Sequence, residues 1–402
     1  MDKRLLSLAV GTFAIGTDCL VVAGILPDVS HSLHVSAGTA GQLMTVYALS
    51  YALFSPVVAA LMARWPRKRL LLTGLAVLIA ANSAGALLPA FGFLLASRAL
   101  AGLAAAMFTP TASATAALLV EPDERGRALA VVIAGLCAAT ALGAPIGTIV
   151  GGLSSWRGTM WLVALLGLLA ALIIGVVFPA VPAPPPVGLR QRLAPITDPR
   201  VALTLLTTFC VFGGFYTVYT YTSVSFDRAT GGSASVLAAL IFAWGVAGTV
   251  GNFAAGSMID RYGSRRVINV AAGLAALNFL LLPWSTVHLG AALVAMVVWG
   301  VCGWGLVAPQ QHRLVEILPS SAPLLIALNS SVLYAGVALS GVIGAAGIRA
   351  VGPYMLGPIG AALVLGGLVA AELARAAIDR GKRAQANMAH RDDGQSPGER
   401  AA

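Results

Sequence analysis

Gly256-Ser257-Met258-Ile259-Asp260-Arg261-Tyr262-Gly263-Ser264-Arg265-Arg266 is a short basic break between two apolar stretches. Those stretches, roughly 234–258 and 267–286, are each long enough to cross a bilayer as a helix. Moved back by 197 residues, the same slots hold Ala59, Ala63, Arg64, Pro66, Lys68 and Arg69, a second basic break between apolar stretches at roughly 40–63 and 69–90. The offset recurs. Small residues stand at every fourth position through Gly135, Ala139, Gly143, Gly147 and Gly151, and Gly336, Ser340 and Gly344 are three of those slots displaced by 197. Two independent features with one offset predict a duplicated unit.

Working outward, hydrophobic residues make up 58% of the 402 and charged ones 10%, the balance of a chain that lives in lipid. The remaining spans are expected at roughly 5–26, 92–118, 128–152, 158–180, 201–225, 289–308, 322–347 and 353–374, which makes twelve. All but four of the 25 lysines and arginines fall in every second connection, counting both termini. The exceptions are Arg157, Arg228 and Arg349 in the alternate connections and Arg98 inside a span. The positive-inside rule then predicts both termini in the cytoplasm.

The net charge of +10 therefore sits in short loops beside anionic headgroups, which explains it without nucleic acid. The first span is too long for a signal peptide's apolar region and is expected to stay in the protein. Cys19, Cys137, Cys210 and Cys302 all lie in spans, with no metal-ligand spacing, and read as soft packing residues. Residues 179–200 carry Pro182, Pro184, Pro185 and Pro186, a stiff extended strap. The expected organisation is a six-helix bundle over 1–180, a cytoplasmic Pro-rich linker over 181–200, a second six-helix bundle over 201–375, and a polar, disordered cytoplasmic tail over 376–402.

The stripes of small residues let backbones approach closely. They pack helices tightly, and smooth stripes could also let the halves rock on one another. Pro110 and Pro145 each remove a helix hydrogen bond and permit bending.

With these elements in view, the chain resembles the major facilitator superfamily, in its twelve-helix drug:proton antiporter branch of chloramphenicol-resistance and sugar-efflux proteins. The break at Gly256…Asp260-Arg261-x-Gly263…Arg265-Arg266 looks like that superfamily's signature loop. Arg98-x-x-Ala101-Gly102 is similar to an Arg-x-x-Gln-Gly element, with the glutamine missing. Gly135…Gly143-Ala144-Pro145…Gly147 is similar to the antiporter motif, which usually reads Gly-Pro without the inserted alanine. The resemblance implies an all-α membrane fold of two pseudo-symmetric six-helix bundles, and a conformational role for Asp260, Arg261, Gly263, Arg265, Arg64, Gly143, Pro145 and Gly147. It departs at Ala63, where the family has an aspartate that latches the halves. Here the latch is expected to be weaker, or carried by Asp260, with Arg64, Arg67, Lys68 and Arg69 docking on helix carbonyls or on lipid phosphate.

Asp18 is the one acid well inside a span, and Arg98 the one base. A charge at mid-bilayer costs about 2.5–3.5 kcal/mol, so it normally faces the protein interior and carries function. Counting residues from the outer helix ends puts Asp18 about 12 Å and Arg98 about 9 Å deep, so the two are expected to meet. They read either as a fixed buried pair or as a proton-exchanging carboxyl tuned by its arginine; the second reading is favoured, since the 197 offset gives them no symmetric copy. Asp28 reads as a capping residue, and His31 and His34 as exposed. Gln310, Gln311, His312 and Arg313 end the tenth span. Tyr216, Tyr219, Trp299 and Asn329 are the expected substrate contacts, with Tyr221, Trp244 and Trp304 as further aromatics, because Tyr and Trp join apolar area to a polar handle.

The expected function is proton-coupled efflux of a small neutral or amphipathic compound, a drug such as an amphenicol or a sugar, by alternating access. The alternative is a proton-coupled nutrient importer of the same fold. No catalytic cluster, cofactor, metal site or phosphate loop is read in the spans, so an enzyme is not expected. The expected partners are the small-molecule substrate, protons and the lipid bilayer, not nucleic acid; the expected state is a monomer in a bacterial inner membrane.

Overall fold

The computed structural model describes residues 2–121, 124–179, 181 and 187–393, and among these the chain is helix joined by short turns, with no strand. Hydrocarbon offers backbone N–H and C=O groups no partner but one another, so apolar stretches of this length close as helices. Helix α1 is Lys3–Leu20, continued after a 44° bend by Val22–Ser32. Then come α2 (Ala37–Leu61), α3 (Arg67–Leu87), α4 (Phe91–Leu118), α5 (Arg125–Leu153), α6 (Trp156–Val177) and α7 (Pro199–Tyr219).

The next helical stretch, Ala234–Ser285, has 52 residues, which if straight would be about 78 Å long, more than twice a bilayer core. It turns back at Gly263, whose φ of 77° and ψ of 151° leave the helical region; a residue with a Cβ would be strained there. Its two ends meet: Arg228, just before it, donates to Pro283 O at 2.8 Å and Thr286 Oγ1 at 3.0 Å. Residues 234–262 are therefore α8 and residues 264–285 are α9. The series closes with α10 (Leu289–Ile317), α11 (Pro319–Val351) and α12 (Leu356–Asp393). With α1 taken as one bent span, twelve spans result. Their outer faces carry bare apolar side chains such as Leu61, Val176 and Phe253, as a lipid-facing surface requires.

The duplication survives in three dimensions. Gly16 of α1 lies against Ala139 of α5, and 197 residues on Gly213 of α7 lies against Gly336 of α11. Each half also opens on the same cap. Asp2 accepts from Arg4 N and grips its guanidinium at 2.7 Å; Asp198 does the same with Arg200. These hydrogen bonds hold both carboxyls below the usual range.

Three expectations need correction. The helix-5 stripe does not face the other half: Gly135, Gly143, Gly147 and Gly151 press on Ala9, Thr17, Val21 and Ile25 of α1, and Gly336 and Gly344 likewise press on α7 and its continuation. The stripe is thus packing within each half. The tenth span does not end at 308 but resumes after Leu306 as far as Ile317, burying Gln310 and Arg313. The final helix is described to Asp393, well past residue 376, where an irregular tail was expected. Its Ala-rich run and the Arg375–Asp379 pair at 3.1 Å, one turn apart, favour helix over coil. The prolines 182–186 of the strap lie outside the described residues, while Leu189–Leu193 forms a short helix. From that helix Arg192 donates to Ala59 O at 3.2 Å, pinning the linker to α2.

Candidate functional site

The two halves touch mainly away from the end where the chain begins, here the terminus end; the opposite end is the far end. Tyr221 donates to Gly341 O at 2.7 Å and lies 3.4 Å from Gly38 O. Gln42 donates to Gly341 O, and Gly38 packs on Ala345. Along the other seam Gly152 meets Ala234, and Gly245 sits on the backbone of Thr140 and Ala141. A Cβ at either glycine would collide, with the Ala234 methyl at Gly152 and with main chain at Gly245, so only at Gly245 is the approach backbone to backbone. The seam is closed by glycines of one half under aromatic or small residues of the other.

Beneath this seal lies the pair that the sequence isolates. Arg98 Nη1 donates to Asp18 Oδ1 at 2.7 Å, and Nη2 donates to Asp18 O at 3.0 Å and Oδ2 at 3.3 Å. Asp18 is 0% exposed and Arg98 2%. The expected meeting of α1 and α4 at matching depth is what the geometry has. The guanidinium also lies over the Tyr47 ring at 4.8 Å, while Arg98 Nε and Tyr47 Oη are buried without partners. A charged pair so enclosed gains little net stability over an apolar replacement, but removing one member leaves a naked charge.

Across the seam stands an aromatic wall. Tyr219 of α7 is 4.7 Å from Trp244 of α8, 5.5 Å from Tyr216 and 6.2 Å from Trp299 of α10. Phe279 of α9 backs Trp299 at 5.2 Å. With Phe212, Phe215 and Trp304 these rings enclose a cavity of about 20 Å³, room for one water. Trp244 Nε1 is a buried donor without an acceptor, the kind of handle that a polar ligand atom could satisfy.

The two walls are bridged. Tyr219 Oη donates to Leu20 O at 3.1 Å, and Tyr334 of α11 stacks on Tyr51 of α2 with ring centroids 3.8 Å apart. The Cys19 thiol lies close to the hydroxyls of Tyr47 and Tyr334. Cys19, Tyr47, Tyr51 and Tyr334 were not singled out as site residues from sequence. The i, i+4 spacing of Tyr47 and Tyr51 puts them on one face of α2, but nothing local says which neighbour that face meets.

Tyr216, Tyr219 and Trp299 are brought together. Asn329 is not with them. It accepts from Thr208 at 2.7 Å, tying α11 to α7 about 12 Å nearer the terminus end than Tyr216 along α7. Tyr221 belongs to the far-end seal. Asp28 accepts from Trp156 N, capping the start of α6, and His31 and His34 are exposed.

Asp260 makes no ion pair or hydrogen bond among the described residues, so it carries no latch. It is exposed, with Arg261 over the neighbouring Tyr262 ring. Instead Arg265 pairs with Glu372 of α12 at 2.6 Å, Asn269 donates to the same carboxylate, and Arg313 donates to Ala371 O. All of these stay within the second half. In the first half Arg64 is exposed, and Lys68 docks on Gly175 O at 2.8 Å in the last turn of α6, as expected of a cation at a helix C-terminus. Gly143 closes a wide turn, the π-helical Ala139–Gly143, just before Pro145. A second cavity, of about 490 Å³, opens at the terminus end of α1, α4 and α5, lined by Asp2, Arg4, Glu121, Glu124 and Arg127 among others.

A family model described as Major Facilitator Superfamily matches residues 8–341. The chain is 30% identical over 337 residues to an uncharacterised MFS-type transporter, YbcL, of Bacillus subtilis (strain 168), covering 84% of this chain and 86% of that one. It is 37% identical over 268 residues to a chloramphenicol resistance protein of Streptomyces lividans, covering 65% and 68%. The inner membrane transport protein YdhP of Escherichia coli (strain K12) is 28% identical over 366 residues, covering 91% and 94%.

Proposed function

The chain belongs to the Major Facilitator Superfamily, a family of transporters, and we propose that it is a proton-coupled efflux antiporter of the bacterial inner membrane. Its cargo is a small neutral or amphipathic compound, a drug such as an amphenicol or a sugar. The observation that carries this reading is the buried Asp18–Arg98 pair, with Asp18 two residues before Leu20, whose carbonyl accepts from Tyr219 of the aromatic wall. The pair is neutral as a unit, so the site repels neither sign of charge and offers rings and hydrogen bonds instead. That supports uncharged cargo. A proton on Asp18 removes the acceptor of Arg98 Nη1 and frees the guanidinium, so occupancy by proton and by cargo can exclude one another.

With the basic loops cytoplasmic, the sealed far end faces the exterior and the 490 Å³ cavity opens toward the cytoplasm. Cargo enters from the cytoplasmic side, the halves rock along the α2–α11 and α5–α8 seams, and the far end opens. The protein works as a monomer, with both termini cytoplasmic, on its substrate, protons and lipid alone. The test uses inverted vesicles carrying this protein and an imposed acid-inside proton gradient, so that protons leaving the lumen drive cargo into it. Uphill accumulation of chloramphenicol, lost in Asp18→Asn, is the expected result. Proton-driven movement in the opposite direction would make the protein an importer, and full accumulation by Asp18→Asn would remove Asp18 from the mechanism. A susceptibility panel on cells expressing both forms extends the cargo range.

A further inference from the structure

We propose that Tyr219 is the positioning residue that ties the proton site to the far-end seal, through the broken backbone of α1. This rests on the reading of Asp18 as the proton site. The helix breaks at Val21: Gly24 N–H donates to Val21 O at 3.0 Å rather than to Leu20, which leaves the Leu20 carbonyl for another donor. That donor is Tyr219 Oη, from the other half of the molecule. Two residues earlier, Asp18 O is held by Arg98 Nη2. The last turn before the break is thus pinned twice, by an arginine of its own half and by a tyrosine of the other.

The consequence is mechanical. Arg98 divides its donors between the Asp18 carboxylate and the Asp18 main chain. When a proton on Oδ1 takes that acceptor away, the guanidinium must reseat, and the carbonyl it holds moves with it. Leu20 O lies at the end of the same rigid turn, so the bond to Tyr219 lengthens or bends. Hydrogen bonds weaken steeply with misalignment, and this one spans the seam. The ring of Tyr219 is also a wall of the 20 Å³ cavity, against Trp244 and Trp299. Cargo larger than a water must push that ring, and so strains the same bond. One side chain therefore meets cargo, seam and proton site.

The test is a cross-link across the far end in the full chain, in liposomes. Gly38→Cys and Ala345→Cys place sulfurs on backbones already in contact, close enough for a disulfide when the far end is shut. The rate of oxidation is measured with Tyr219 intact and in Tyr219→Phe, which keeps the ring and removes the hydroxyl. Losing one buried hydrogen bond is expected to slow cross-linking about three- to tenfold. Asp18→Asn is expected to change the rate when Tyr219 is present and to leave it unchanged in Tyr219→Phe, since a broken link passes nothing on. Should Asp18→Asn fail to fold, pH does the same work: the rate ratio of the two forms cancels the thiols' own titration and is expected to vary with pH. A rate in Tyr219→Phe within about twofold of the parent, equal effects of Asp18→Asn in both backgrounds, or a pH-independent ratio overturns the proposal. Failure of the reading of Asp18 as the proton site shows separately, as undiminished uphill chloramphenicol transport by Asp18→Asn.

Discussion

The two halves share a scaffold and divide the chemistry. Both begin on an Asp-x-Arg cap, and both press the first helix of the half on the fifth through small residues. At the centre they part company. The slot of Asp18 is occupied in the second half by Phe215, a member of the aromatic wall, and that of Arg98 by Ala295, whose carbonyl accepts from Asn278. Duplication kept the packing that any half needs to fold and released the positions that packing does not dictate. The first half then holds the buried charge, with Tyr47 and Tyr51 beside it, and the second holds most of the rings.

The largest expected effect breaks this division at its charged side. Asp18→Asn is expected to abolish gradient-driven accumulation while ligand binding persists, measured by vesicle transport beside tryptophan quenching. Arg98→Ala goes further, since a buried carboxylate left alone costs about 3–5 kcal/mol; loss of folded protein in detergent is the readout. On the ring side, Trp244→Phe keeps the stacking but removes the unpartnered N–H, and is expected to weaken ligand binding two- to tenfold, about one hydrogen bond, without touching proton coupling. A shift in the pH profile of Trp244→Phe would show that the halves do not divide the work.

The shared scaffold can be sharpened by matched glycines. A Cβ on Gly16 would lie 2.7 Å from the Ala139 Cβ, whereas one on Gly213 would lie 3.5 Å from Gly336 O. Gly16→Ala is expected to destabilise by about 1–3 kcal/mol, as overpacking does, and Gly213→Ala to be silent in a thermal melt. The smallest effects belong to the caps. Asp2→Ala and Asp198→Ala should each cost about 1 kcal/mol near neutral pH. Both carboxyls are depressed by their arginines, so their contribution is complete above the unfolded value of about 3.9 and vanishes as pH falls through the lower folded value. Melts at pH 7 and pH 3 should show the gap between parent and variant closing.

Much of this was legible in the sequence for physical reasons. Lipid forces apolar segments into helices and makes a lone Asp18 or Arg98 conspicuous, and helical rise alone put them at one depth. The 197-residue offset matched Ala139 to Gly336, and the structure gives the two the same kind of neighbour, Gly16 and Gly213. What stayed hidden depends on neighbours. Periodicity reveals that Gly135 to Gly151 share a face but not that α1 covers it. Asp260 sits where a latch is expected, yet Glu372, more than a hundred residues away, takes the adjacent Arg265. Tyr51 and Tyr334 are ordinary span aromatics until two halves meet between them, and Asn329 looked like a binding group because its partner, Thr208, lies on another helix.

The wide turn at Ala139–Gly143 has a geometrical outcome. Steps of four residues overshoot a full revolution by about 40° on an ordinary α-helix, so a stripe five members long would wind round to another neighbour. A looser coil in the middle returns part of that rotation, and Gly135 through Gly151 all stay on α1. Two rods so keyed along their length cannot roll past each other. They swing as one beam, and sliding is left to Gly245, where bare main chain meets main chain, and to Gly152 under the Ala234 methyl.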